Sequence, residues 1–173
     1  MKAIVLFDTL FGNTERIANS LARSMQESGI AAECVNIKMA RVEKLSEYDL
    51  LALGAPTQYI TASKTMKDFL DRLKELNLKG KCGFAFDTKL DSFMAGSAAK
   101  FIEKKLKAYG VDIIRPRSSA IVIGRKEKEK KKNGEEIKIG EAVLKEGMEE
   151  LFETVGKELG TLLESRARKV GAA

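Results

Sequence analysis

Almost from end to end the chain alternates short apolar, β-rich runs with segments whose apolar residues recur at helical spacing. The runs fall at 3–7, 32–37, 50–54, 81–86 and 119–123. Between them Ile17, Leu21 and Met25, then Met66, Phe69, Leu70 and Leu73, then Phe101, Ile102 and Leu106 mark helices. A last stripe over 144–163 runs through Met148, Leu151, Phe152, Val155, Leu159 and Leu162. Strands that are apolar along their whole length are buried on both faces, and parallel strands need crossover helices to cover them. The pattern predicts an α/β domain built on a doubly wound five-stranded parallel sheet with helices on both faces. A chain of 173 residues accommodates one such domain with a sizeable core. The domain is expected to span 1–164, with a lysine-rich insertion at 125–138 and a flexible basic tail at 165–173.

Charge is unevenly distributed. The net charge is +6, yet residues 125–132 alone hold six basic and two acidic side chains, and Arg166, Arg168 and Lys169 sit in the tail. The rest of the chain is close to neutral. The chain contains no histidine and only two cysteines, Cys34 and Cys82, far apart in the sequence. That excludes a Ser-His or Cys-His catalytic pair and a Cys/His zinc site, so no catalytic or metal-ligating residue is assigned. Both cysteines read as small core residues. No apolar run is long enough to span a membrane, and the first apolar run reads as a strand instead of a leader. A cytoplasmic location is expected.

In an open parallel sheet, ligands bind beyond the C-terminal ends of the strands, where strand order reverses. The loop after the first strand, Asp8-Thr9-Leu10-Phe11-Gly12-Asn13-Thr14, leads directly into a helix. Such a turn aims backbone N–H groups and the positive helix end at one point, suited to an anion. Thr9 and Thr14 add hydroxyls, and Gly12 permits close backbone approach. The same residues also suit a plain strand end and helix cap. Walker and Rossmann glycine patterns are absent, and the third strand ends Leu53-Gly54-Ala55 without the aspartate that a phosphorylation receiver needs.

The loop resembles the phosphate loop of flavodoxins, through Thr9, Gly12, Asn13 and Thr14. Phe11 stands where long-known flavodoxins carry a threonine, a variant closer to the flavodoxin domains of diiron flavoproteins. The resemblance extends over the chain apart from the lysine-rich insertion and tail. It implies a flavodoxin-like fold and FMN as cofactor, with Leu10 completing the phosphate loop. Gly54-Ala55-Pro56-Thr57-Gln58-Tyr59-Ile60 resembles the Gly-x-Pro-Thr segment that lines one face of the flavin in that family. The resemblance thus implies roles for Pro56, Thr57, Gln58, Tyr59 and Ile60, with Tyr59 the candidate for stacking. The segment after the fourth strand carries Asp87, Thr88, Phe93 and Gly96; Asp87, Thr88 and Gly96 join the expected cofactor-binding set, with backbone around Asp87 and Thr88 facing the polar edge of the ring. No glycine lies between Ala55 and Lys79, so a positive-φ turn there would strain a non-glycine residue.

Three functions follow from the resemblance and the charge. The first is electron transfer by bound FMN to a redox partner protein. The second is a flavin-dependent reductase of a quinone or similar acceptor. The third is an FMN-free binding module using the lysine-rich insertion. The lysine run favours an acidic partner, while Glu127 and Glu129 within it, and the lack of aromatic residues there, argue against nucleic acid. Monomer and homodimer both remain open.

Overall fold

A computed structural model describes residues 1–92, 94–128 and 137–171. The central strands are β1 (Lys2–Phe7), β2 (Ala31–Asn36), β3 (Leu50–Gln58), β5 (Cys82–Leu90) and β7 (Ser118–Lys128). They pair in parallel in the order β2-β1-β3-β5-β7. The short β4 (Thr61–Ala62) pairs antiparallel with β3, and β6 (Asp112–Ile113) pairs with β5.

Successive strand residues point to opposite faces, and here both faces are apolar. Ala3, Val5 and Phe7 of β1, with Phe84 and Phe86 of β5, meet α1 (Asn13–Glu27) and α4 (Met148–Gly171) through Ile17, Leu21, Phe152 and Val155. The alternate residues Ile4, Leu6, Leu51, Leu53 and Ala85 meet α2 (Lys64–Leu73) and α3 (Ala98–Ala108) through Met66, Leu70, Ile102 and Leu106. The doubly wound sheet is therefore as the periodicity predicts.

Four differences matter for the site. β3 continues through Pro56 to Gln58 instead of stopping at Gly54. Its ladder with β1 ends at Phe7↔Gly54, so Pro56 has a strand neighbour only on the β5 side, where proline is tolerated. β5 likewise runs on to Leu90, putting Asp87 and Thr88 on a strand instead of in a loop. Third, the fifth parallel strand extends to Lys128, and a further strand, β8 (Ile137–Leu144), pairs antiparallel with it. Among the described residues the strands beyond the five are the short β4 and β6 and, on the open edge of β7, β8. The two ends of the insertion, 125–128 and 137–138, are thereby drawn into the sheet, while 129–136, including the Asn133-Gly134 turn, lie outside the described residues, as does Phe93.

Last, the final helix starts at Met148, not 144, and continues to Gly171. The basic residues expected in a flexible tail are helical, and Arg166 pairs with Asp112 on β6.

Candidate functional site at the C-terminal edge of the sheet

Three helices, α1, α2 and α3, begin at the edge where the parallel strands end. An α-helix start exposes amides that need partners. At α2, the Ser63 hydroxyl accepts from the Met66 N–H at 3.2 Å, and at α3 the Ser97 hydroxyl accepts from the Lys100 N–H at 3.1 Å. Each serine in turn donates to a buried carboxylate: Ser63 to Asp8 at 2.5 Å, Ser97 to Asp87 at 2.7 Å. Both helix ends are closed by the protein itself.

The start of α1 differs. Its cap residue is Gly12, at φ 80°, and no side chain caps the helix. The Gly12 N–H donates to the Thr9 hydroxyl at 3.0 Å, folding the loop onto itself. A Cβ built on Gly12 would meet nothing within 4 Å, so it is the positive φ, and not crowding, that calls for glycine here. Asn13 and Thr14 are buried; Asn13 Nδ2 donates to the Ala142 carbonyl of β8 at 2.6 Å, and the Thr14 hydroxyl lies 2.9 Å from that of Thr88.

Beside this open helix end lies a cleft of ≈ 240 Å³. Thr9, Leu10, Phe11, Asn13 and Thr14 form one wall, and Pro56, Thr57 and Gln58 of β3 another. Thr88, Lys89 and Leu90 of β5 supply the floor, with Val122 and Gly124 of β7 and Ala142 of β8 at the far side. Leu10 and Phe11 are 60% and 50% exposed at its rim. The arrangement suits a ligand with an anionic group for the open amides and hydroxyls and a flat apolar body for the slot.

The structure brings most of the expected site residues together and sets several apart. Tyr59 and Ile60 do not line the cleft: they form the tip of the β3–β4 hairpin, and Tyr59 is 97% exposed. Both hold positive φ, 45° and 65°, where the glycine-free segment led us to expect one strained residue. Gly96, at φ 70°, lies directly against this tip; a Cβ there would come 2.2 Å from the Ile60 carbonyl oxygen. That carbonyl accepts the Ser97 N–H at 3.2 Å.

Asp87 acts behind the cleft through its side chain. Its Oδ2 accepts from the Thr57 hydroxyl (3.1 Å), the Ser97 hydroxyl and the Ala99 N–H (3.0 Å), bolting β3 and α3 together, while Oδ1 is buried with no described partner. Thr57 Oγ1 also accepts the Ala98 N–H at 2.9 Å.

Lys89, Val122, Gly124 and Ala142 are additions that the sequence did not suggest. Lys89 carries a cation to a site where the loop itself has none. Ala142 was hidden because β8 forms only through pairing with β7.

The cysteines lie elsewhere. Cys82 is buried, and the thiol of half-buried Cys34 is pushed up to about 11 by burial and by the Glu15 charge, as suits core residues. Among the described residues no cluster of His, Cys, Asp or Glu could hold a metal ion, and no helix is long and apolar enough to cross a membrane.

Comparison with known proteins gives this site its context. The family model described as flavodoxin matches residues 5–155. A flavodoxin of Clostridium saccharobutylicum is 35% identical over 98 residues, which are 56% of this chain and 61% of that relative. The match thus spans about three-fifths of the relative's length. Among solved structures, a flavodoxin from the domain Archaea superposes with a TM-score of 0.74 at 20% identity, covering 95% of this chain and 99% of that one. The rubredoxin oxygen:oxidoreductase of Desulfovibrio gigas has the same TM-score of 0.74 at 18% identity, covering 96% of this chain but 37% of that larger protein. The family match over residues 5–155, on a fold whose uncapped α1 start opens into the cleft, makes this chain a member of the flavodoxin family.

Proposed function

We propose that this protein is an electron carrier that binds FMN in the cleft beside α1 and exchanges electrons with a partner protein. The observation that carries this reading is the contrast among helix starts: α2 and α3 are closed by serines, whereas α1 opens at Gly12 into an apolar slot. FMN is the cofactor of the family, and the residues present fit it. The amides of the 9–14 loop, with the Thr9, Thr14 and Thr88 hydroxyls and Lys89 nearby, suit a phosphate. Leu10, Phe11, Pro56 and Leu90 suit a planar ring and keep water from it. When bound, FMN supplies the redox chemistry, so no catalytic side chain is needed.

The chain's own contribution is to bind and orient. Asp87 fixes Thr57 and Ser97, and so holds the β3 wall of the cleft at a set distance from α3. Gln58 brings a side-chain amide to the same wall. The two free thiols support a reducing, cytoplasmic setting.

Fluorescence titration of the purified protein with FMN and with riboflavin tests the reading. FMN is expected to bind near stoichiometrically with quenching, and riboflavin, lacking the phosphate, far more weakly. Equal affinities would remove the phosphate site, and absence of FMN binding would remove the function.

A further inference from the structure

Beside the Tyr59–Ile60 hairpin tip lies a second, shallow depression that the cofactor site leaves unused. It is lined by Ile60 and Met94 with Phe101, and by Lys100 and Lys104 one turn apart on α3. Among the described residues no carboxylate lines it. Ile60 is 69% and Met94 81% exposed. Apolar side chains grouped in the open beside a binding cleft mark interaction surfaces more often than chance exposure.

Two observations set these groups apart from scattered surface exposure. Tyr59 and Ile60 stand in left-handed backbone, a conformation that a two-residue hairpin normally assigns to asparagine and glycine and that a β-branched residue resists. The chain nevertheless keeps two large apolar side chains there, neither facing the cleft. Local strain retained at a site boundary points toward function.

The second observation concerns charge. Nearby Lys64 and Lys105 are committed to Asp68 and Asp71. Lys100 and Lys104 have no ion-pair partner among the described residues, and Lys67 lies over the Phe101 ring at 5.5 Å. An apolar centre is thus collared by cations whose charge the protein does not neutralise.

We infer that this depression is the docking surface for an acidic protein, one whose contact face sets carboxylates around an exposed apolar side chain. The apolar centre supplies burial, and the lysines steer the approach and fix orientation. The inference rests on the electron-carrier reading, since docking here would bring a partner alongside the hairpin that borders the cleft. It places the acidic partner on the α3 side of the sheet.

The test is titration of the FMN-loaded protein, followed by heteronuclear NMR at low salt, with a peptide in which glutamates flank one phenylalanine. Its phenylalanine-to-serine counterpart and a single-stranded DNA serve as controls. Shifts are expected at Ile60, Thr61 and 96–104, and Lys100→Glu with Lys104→Glu is expected to weaken the peptide about tenfold without changing FMN affinity. Met94→Ser should weaken the phenylalanine peptide and leave the serine peptide unaffected. Unchanged affinity in the double variant, shifts centred elsewhere, or DNA binding as tight as the peptide would each overturn the proposal. If the native protein fails to bind FMN, the electron-carrier reading falls separately, and the same mapping on the unliganded protein still decides the docking surface.

Discussion

The side-chain hydroxyls of Thr14, on the first turn of α1, and Thr88, near the end of β5, lie 2.9 Å apart and buried. Each hydroxyl offers one donor and two acceptor sites, so this pair retains capacity for a ligand while neither oxygen is left unsatisfied. The contact also ties the 9–14 loop to the sheet. Thr14→Val should therefore reduce FMN affinity by about 1–3 kcal/mol, the range for a hydrogen bond to a charged group, and leave riboflavin affinity nearly unchanged. Fluorescence titration of both flavins checks this; equal losses for the two would mean that Thr14 acts on the fold and not on phosphate.

Gly12 separates folding from binding. Because an added Cβ would meet nothing within 4 Å, Gly12→Ala should cost only about 1 kcal/mol of stability from its left-handed backbone. Gly12→Asp should fold comparably yet abolish FMN binding, since its charge enters the anion cradle. Thermal unfolding alongside FMN titration distinguishes the two effects.

The hairpin tip yields a pair of opposite expectations. Replacing Tyr59 by Asn together with Ile60 by Gly should raise stability by about 1 kcal/mol, relieving two left-handed non-glycine residues. Gly96→Ala should lower it by about 1–3 kcal/mol, because the new Cβ would strike the Ile60 carbonyl. Urea denaturation of both variants gives the signs.

Acid stability should depend in part on Glu103. Burial pushes its carboxyl up, but hydrogen bonds from the Lys107 ammonium and the Arg117 N–H, with their charges, outweigh that and hold it below the ordinary 4.5. A lowered folded value means that the stabilisation is complete above 4.5 and is lost as pH falls through the folded value. Glu103→Gln should be less stable than the native chain by about 1–3 kcal/mol near neutrality. The difference should shrink once pH drops below the carboxylate range, which urea titrations at neutral and acid pH would show.

The parallel sheet was legible because burial on both faces imposes continuous apolar strands, and the helices because Ile17, Leu21 and Met25 or Met66, Phe69 and Leu70 repeat every three to four residues. The loop that opens α1 was legible because strand, glycine and helix start are contiguous. What escaped depends on partners distant in sequence. Strand β8 exists because β7 offers an edge, and with it comes Ala142 as the acceptor for Asn13, a contact spanning 129 positions. Asp87 looked like a backbone contributor, but its side chain reaches residues from Thr57 to Ala99. Tyr59 looked like a stacking ring, yet a two-residue turn carries it away from the cleft.

The ladder between β7 and β8 is interrupted once. Gly124 pairs with Ala142 and Lys126 with Ile139, so two residues of β8 oppose one of β7 between them. Such an irregularity takes up an offset that would otherwise turn every side chain beyond it to the other face. The irregularity thus separates an inner stretch, whose Ala142 carbonyl accepts from Asn13 at the start of α1, from an outer stretch in a shifted register. An insertion or deletion beyond the irregularity would therefore leave the Gly124–Ala142 pair and the Asn13–Ala142 contact in place, so the hairpin could change length while that wall of the cleft keeps its geometry.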